Sequence, residues 1–183
     1  MEETQHCEHG VFLSVNNIGL LIKGDAGCGK STLALELIER GHRLVSDDVV
    51  HFSLVRDTVE SEHCYIIGKS PHMLRDLLAV RDLGVINISQ MFTANRCLAQ
   101  HPLDFIINLV DDDQTLQTSL SGIQSHMTIL DQAIPLQRIH AHPKRNLAVI
   151  VETAVKNYIL YQRKQDAVTL LRNRQQEFIH TTS

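Results

Sequence analysis

The sequence has no basic block: 17 lysines and arginines against 21 aspartates and glutamates leave a net charge of -4 at pH 7. The electrostatic footprint of a nucleic-acid binder is therefore missing. No apolar run approaches the ~20 residues that span a bilayer, so a soluble protein with no membrane partner is expected. Cys7, Cys28, Cys64 and Cys97 lack the paired spacing of a metal site, and the start Met1-Glu2-Glu3-Thr4 is acidic with no apolar signal segment. Free thiols in a reducing cytoplasm are the expectation. Internal repeats and low-complexity tracts are also absent, and 183 residues suffice for one domain, 1–183, with a real core.

What the chain does have is Gly24-Asp25-Ala26-Gly27-Cys28-Gly29-Lys30-Ser31, a match to G-x-x-x-x-G-K-[ST] at every fixed position. Three glycines in six residues let successive N–H groups converge on a phosphate. Lys30 neutralises its charge, and the Ser31 hydroxyl reaches a magnesium ion. The apolar run Ile18 to Ile22 precedes the loop, and Leu33, Ala34, Leu37 and Ile38 follow it at helical spacing. A strand, a loop and a helix N-terminus under the anion are the expected context, with a nucleoside triphosphate as ligand.

Val11 to Val15, Asn16-Asn17 and the run before the loop read as a hairpin with His9 at its start. An antiparallel partner begins where its neighbour ends, which puts His9 near the phosphate loop; on spacing alone such a histidine is more often a solvated edge residue. Gly41 caps the loop helix, and His42 to Ser46 reads as a short strand ending in Asp47-Asp48. About eleven helical residues carry the chain roughly 16 Å away, and about five extended residues bring it back, so both carboxylates are expected beside the triphosphate. One would orient magnesium and the other take a proton from an attacking hydroxyl. Asp111, ending the apolar strand Phe105 to Val110, is the second candidate on the metal side.

Further along, Val49 to Val55 and His63 to Ile67 read as another hairpin. Ser70-Pro71 reads as the start of a helix to about Leu78, and Ala79 to Ile88 as a turn feeding a buried strand. Arg96 falls on a polar loop, where an arginine is either solvated or a phosphoryl clamp. A strand over Leu136 to Ala141, a turn at Pro143-Lys144, a helix from about Asn146 and an amphipathic segment from Gln165 to Ile179 complete the chain.

These residues together resemble the catalytic domain of the bacterial HPr kinase/phosphorylase family. The strings that carry the resemblance are the phosphate loop with Leu35 to Asp48, Leu83-Gly84-Val85-Ile86-Asn87, and Arg145-Asn146-Leu147-Ala148-Val149-Ile150. The resemblance implies an α/β fold with a phosphoenolpyruvate-carboxykinase-like core, a mixed β-sheet and C-terminal helices. It also implies ATP or pyrophosphate as phosphoryl donor, a magnesium ion, HPr as partner and a homohexamer. Position by position, it assigns His9 as the catalytic histidine, Lys30 and Ser31 as loop lysine and metal serine, Asp48 as general base and Arg96 as catalytic arginine. Asp47 is then the metal-side carboxylate. The chain departs from the family pattern at Ala79, where a metal-binding glutamate is usual, at Asp82, and in the stretch His140 to Arg145 tied to dephosphorylation. These departures imply weak or lost phosphorylase activity. The alternatives are a kinase of the same fold with another substrate, or a nucleotide-binding regulatory module without turnover.

Overall fold

The computed structural model describes residues 5–56, 64–92, 94–110, 123, 125–142 and 145–181. Asp111 to Asp113, His63 and the turn at Pro143-Lys144 lie outside them. Strand β1 (Gln5–His9) leads directly into β2 (Val11–Val15), and β2 pairs antiparallel with β3 (Ile18–Gly24). Asn16 and Asn17 close this hairpin with positive φ at both positions, the geometry that matches strand twist and that asparagine tolerates. Next come α1 (Lys30–Glu39), β4 (Arg43–Ser46), β5 (Val49–Arg56) and β6 (Cys64–Lys69). The middle of the chain holds β7 (Leu77–Val80), β8 (Gly84–Asn87) and the single turn α2 (Ile88–Met91). The remainder is β9 (Gln100–Pro102), β10 (Phe105–Val110), β11 (Ser125–Ile129), β12 (Gln132–His140), α3 (Leu147–Gln162) and α4 (Ala167–Thr181).

The fold is α/β with a mixed sheet. Six strands run in the order β11-β12-β10-β3-β2-β4, with β10 parallel to both β3 and β12 and the other pairs antiparallel. A four-stranded antiparallel sheet, β1-β5-β6-β9, packs on one face of it, and α1 and α3 cover the other. The central strands are therefore buried on both sides and read as continuous apolar runs. Val11, Leu13, Leu20 and Ile22 face α1 and α3, meeting Leu33, Leu37, Val151 and Val155, while Phe12 and Leu21 face the second sheet, meeting Val50, Phe52 and Ile66. Because β4 is antiparallel to β2 and β2 to β3, β4 points the same way as β3. The ends of β3 and β4 consequently lie on one edge of the sheet, with β2 between them.

Two sequence expectations fail in the middle of the chain. Ser70-Pro71 opens only a 3-10 turn over His72–Leu74, and Asp76 breaks it with φ 63. From Leu77 the burial alternates, with Leu78 and Val80 inside and Ala79 outside, which is a strand's period and not a helix's. Ala79 to Ile88 is likewise no buried strand: β7 and β8 form a hairpin whose second strand leaves Val85 67% exposed. Two smaller corrections concern the ends. His9 closes β1 in the second sheet and does not open the β2–β3 hairpin. The last strand begins four residues early as β12 and pairs with β11 across Leu130-Asp131, both at positive φ.

Candidate active site

The phosphate loop begins where β3 ends. Gly24 must be glycine because it sits at φ 146 with Leu109 O 2.7 Å from where a Cβ would stand. Gly27 and Gly29 are left-handed at φ 82 and 93, which curls the backbone around the Lys30 ammonium. Lys30 Nζ donates to the carbonyls of Gly24 and Asp25, both at 2.8 Å. Gly29 caps α1 without any side-chain bond to its first-turn N–H groups, so these donors face the loop's concavity.

Asp47 and Asp48 arrive at the same edge through the sharp turn between β4 and β5, in which Val49 N donates to Asp47 O at 2.8 Å. This turn gives the two carboxylates opposite environments. Asp47 is buried: its Oδ1 accepts from Ser31 Oγ at 3.3 Å and its Oδ2 from Ala79 N at 2.8 Å. Burial pushes the Asp47 carboxyl above the usual carboxylate range, against the pull of those hydrogen bonds. Asp48 stands at φ 66 with a side chain 76% exposed, and its Oδ1 lies 3.8 Å from Nδ1 of the equally open His9. His9 is held there from behind. Glu8, one residue earlier in β1, forms an ion pair with Lys23 at the end of β3 and a 2.6 Å bond with His6. Burial pushes the Glu8 carboxyl up, but Lys23 and His6 outweigh it and leave it below its usual range. Gly10 completes the crossing, since a Cβ there would stand 2.6 Å from Ile22 O.

Among the residues named from sequence, Arg96 is the one the fold does not bring to this edge. It ends a 3-10 turn beside the start of β4, and its Nη1 lies 3.2 Å from where a Gly41 Cβ would stand. Gly41 follows the C-terminus of α1, about 15 Å of helix away from the loop. The arginine that stands at the loop is Arg81, in the β7–β8 turn. Its Nη2 would be 3.6 Å from a Cβ on Gly27, and it shares a cavity of about 320 Å³ with Lys30, Ser31, Thr32 and Ala79. Among the described residues, no ion pair engages Arg81. The sequence reading missed it because the hairpin that aims it was read as the end of a helix and a turn feeding a buried strand.

The metal expected from sequence finds a small oxygen set. Ser31 and Asp47 supply a hydroxyl and a carboxylate already in contact, which suits a hard cation that takes its other ligands from phosphates and water. No cluster of three or more His, Cys, Asp or Glu residues able to hold a metal occurs among the described residues. Asp76 and Asp82 do not fill the place left by Ala79. Asp76 bonds the Cys97 thiol, whose pKa burial and this carboxylate push up to about 12, and neither aspartate lines the cavities at the loop.

A glycine-rich turn leads from a central strand of this α/β fold into a helix, and two carboxylates reach the same sheet edge. The chain belongs to the family described as the HPr Serine kinase C-terminal domain, whose model matches residues 2–175. It is 43% identical over 164 residues to an HPr kinase/phosphorylase of Neisseria meningitidis serogroup C, covering 87% of this chain and 49% of that protein. It is 39% identical over 153 residues to an HPr kinase/phosphorylase of Exiguobacterium sp., covering 83% and 47%. The chain thus spans about half the length of the curated relatives it matches. The solved HPr(Ser) kinase/phosphatase of Coxiella burnetii superposes with a TM-score of 0.78 at 30% identity, covering 91% of this chain and 98% of that one. No helix among the described residues is long and apolar enough to cross a membrane.

Proposed function

We propose that this chain is the catalytic part of an ATP- and magnesium-dependent protein serine kinase that phosphorylates HPr or an HPr-like phosphocarrier protein. The observation that carries the reading is the open Asp48–His9 pair, 3.8 Å apart, beside a cavity that Asp48 lines together with Lys30, Ser31 and Asp47. Asp48 accepts the proton of the incoming serine hydroxyl, whose oxygen attacks the γ-phosphorus while the bond to the ADP oxygen breaks in line. Lys30, the loop N–H groups and the N-terminus of α1 take up the charge spread over the phosphoryl oxygens, with Arg81 above them. His9 keeps the Asp48 carboxylate turned toward the acceptor. Magnesium, when held by Ser31, Asp47 and the phosphates, supplies further charge neutralisation.

Names of the relatives support HPr as the acceptor; a cytoplasmic homohexamer and pyrophosphate as a second donor are part of the proposal and follow only from what the sequence resemblance implies. Ala79 supports a weaker reverse reaction. Its N–H donates to Asp47, but its methyl side chain offers no oxygen to a cation. ATP brings its own chelating phosphates, whereas inorganic phosphate and phosphoserine do not. The test is transfer of labelled γ-phosphate to purified HPr across magnesium concentrations, beside phosphate-dependent release from phosphorylated HPr. Transfer with little release is expected. Lys30-dependent ATP binding without transfer to HPr would leave a regulatory module or a kinase of another substrate.

A further inference from the structure

On the side of the loop away from Asp48 lies a larger cleft of about 630 Å³, between the first turns of α1 and the residues Ala141, His142, Arg145 and Leu147. It shares Gly27, Gly29 and Thr32 with the cavity under Arg81, and that cavity in turn shares Lys30, Ser31 and Ala79 with the cavity that Asp48 lines. The three form one continuous track across the loop. A triphosphate lying along it with its terminal group toward Asp48 must leave the loop on the side of the larger cleft.

Beyond the loop glycines it shares, the lining of this cleft holds more than a phosphate needs. Leu33, 2% exposed, and Leu147 give it an apolar wall, Glu36 stands on the exposed face of α1, and His142 and Arg145 stand opposite. A guanidinium and an imidazole offer flat faces to a planar ring, and a carboxylate accepts from vicinal hydroxyls. The volume lies within the range of small-molecule sites and exceeds what pyrophosphate needs. We propose that this cleft holds the nucleoside of the phosphoryl donor, with Arg145 against the base and Glu36 on the ribose. The inference rests on the phosphate-loop reading above. It makes Glu36 and Arg145 specificity residues, which set the preference for ATP over a donor made of phosphates alone.

The experiment compares magnesium-dependent binding of ATP and of inorganic tripolyphosphate to the intact chain, by calorimetry, for wild type, Glu36→Ala, Arg145→Ala and Lys30→Ala. Both cleft residues are exposed, so their truncation leaves the core untouched. Wild type should bind ATP about tenfold or more tighter than tripolyphosphate. Each cleft variant should weaken ATP by roughly tenfold while changing tripolyphosphate less than about twofold. Equal loss for both ligands, or no loss for either, overturns the proposal. Lys30→Ala should weaken both ligands. Its failure to do so would instead overturn the phosphate-loop reading, and with it this one.

Discussion

At the residue scale, the turn between β4 and β5 puts two adjacent carboxylates into different environments. Asp48 is open and faces His9, so Asp48→Asn should abolish phosphoryl transfer while ATP affinity stays within a few-fold; paired turnover and binding measurements check this. Asp47 is buried with a raised pKa, so folding favours its protonated form. That contribution is present below the ordinary carboxylate range and is lost as pH rises through the raised value, which leaves the ionised group a burden at neutral pH. Asp47→Asn should therefore raise the thermal midpoint of the ligand-free protein at pH 7, with the gain fading toward pH 3. It should also weaken the magnesium dependence of ATP binding. The arginines give the sharper contrast. Arg81→Ala should lower kcat by about 10²-fold or more, as loss of a phosphoryl clamp does, whereas Arg96→Ala should leave it near wild type. The opposite order would return the clamp role to Arg96. Asp48 was legible in the chain, because helix and strand lengths alone return it to the loop. Arg81 was not, because its direction depends on a hairpin whose pairing partner is local but whose packing surface is α1.

At the scale of elements, the sheets are joined by aromatic side chains where glycine allows it. Phe12 and Phe52 meet edge to face with centroids 5.5 Å apart, and a Cβ on Gly68 would lie 2.5 Å from a ring carbon of each. Gly68→Ala should cost on the order of 1–3 kcal/mol through overpacking, read as a shift of the urea midpoint. The sequence shows Gly68 only as a glycine just after a strand-like run, since the two rings that require it arrive from 56 and 16 residues away. Elements with an unbroken pattern were legible: α1 and α3 follow the helical period, and β3 and β10 are continuous apolar runs buried on both faces. The stretch from Ser70 to Val80 misled because a serine–proline start signals a helix locally. Burial of Leu78 and Val80 on one face, with Asp76 at φ 63, selects a strand instead.

Across the whole molecule, one cluster ties the far end of α1 to α3. Arg40 donates to both oxygens of Glu152 at 2.8 and 2.6 Å, and His42 Nε2 lies 3.0 Å from Oε1. Hydrogen bonds from Arg40, and then His42, hold the Glu152 carboxyl at about 2 against its burial. A depressed folded pKa gives stability that is present above the unfolded value near ~4.3 and lost as pH falls through about 2. Glu152→Gln should thus be less stable than wild type at pH 6, and the two should converge at the acid end of that window in thermal melts. The sequence by itself determined the phosphate loop, its strand and helix, and the return of Asp47 and Asp48, because these depend on local backbone chemistry and on chain lengths. Only the tertiary structure decided which carboxylate is buried, that Arg81 and not Arg96 overhangs the loop, and that a cleft opens beside α1. Those depend on which surfaces separate elements bury against one another, and residues far apart in the chain set that jointly.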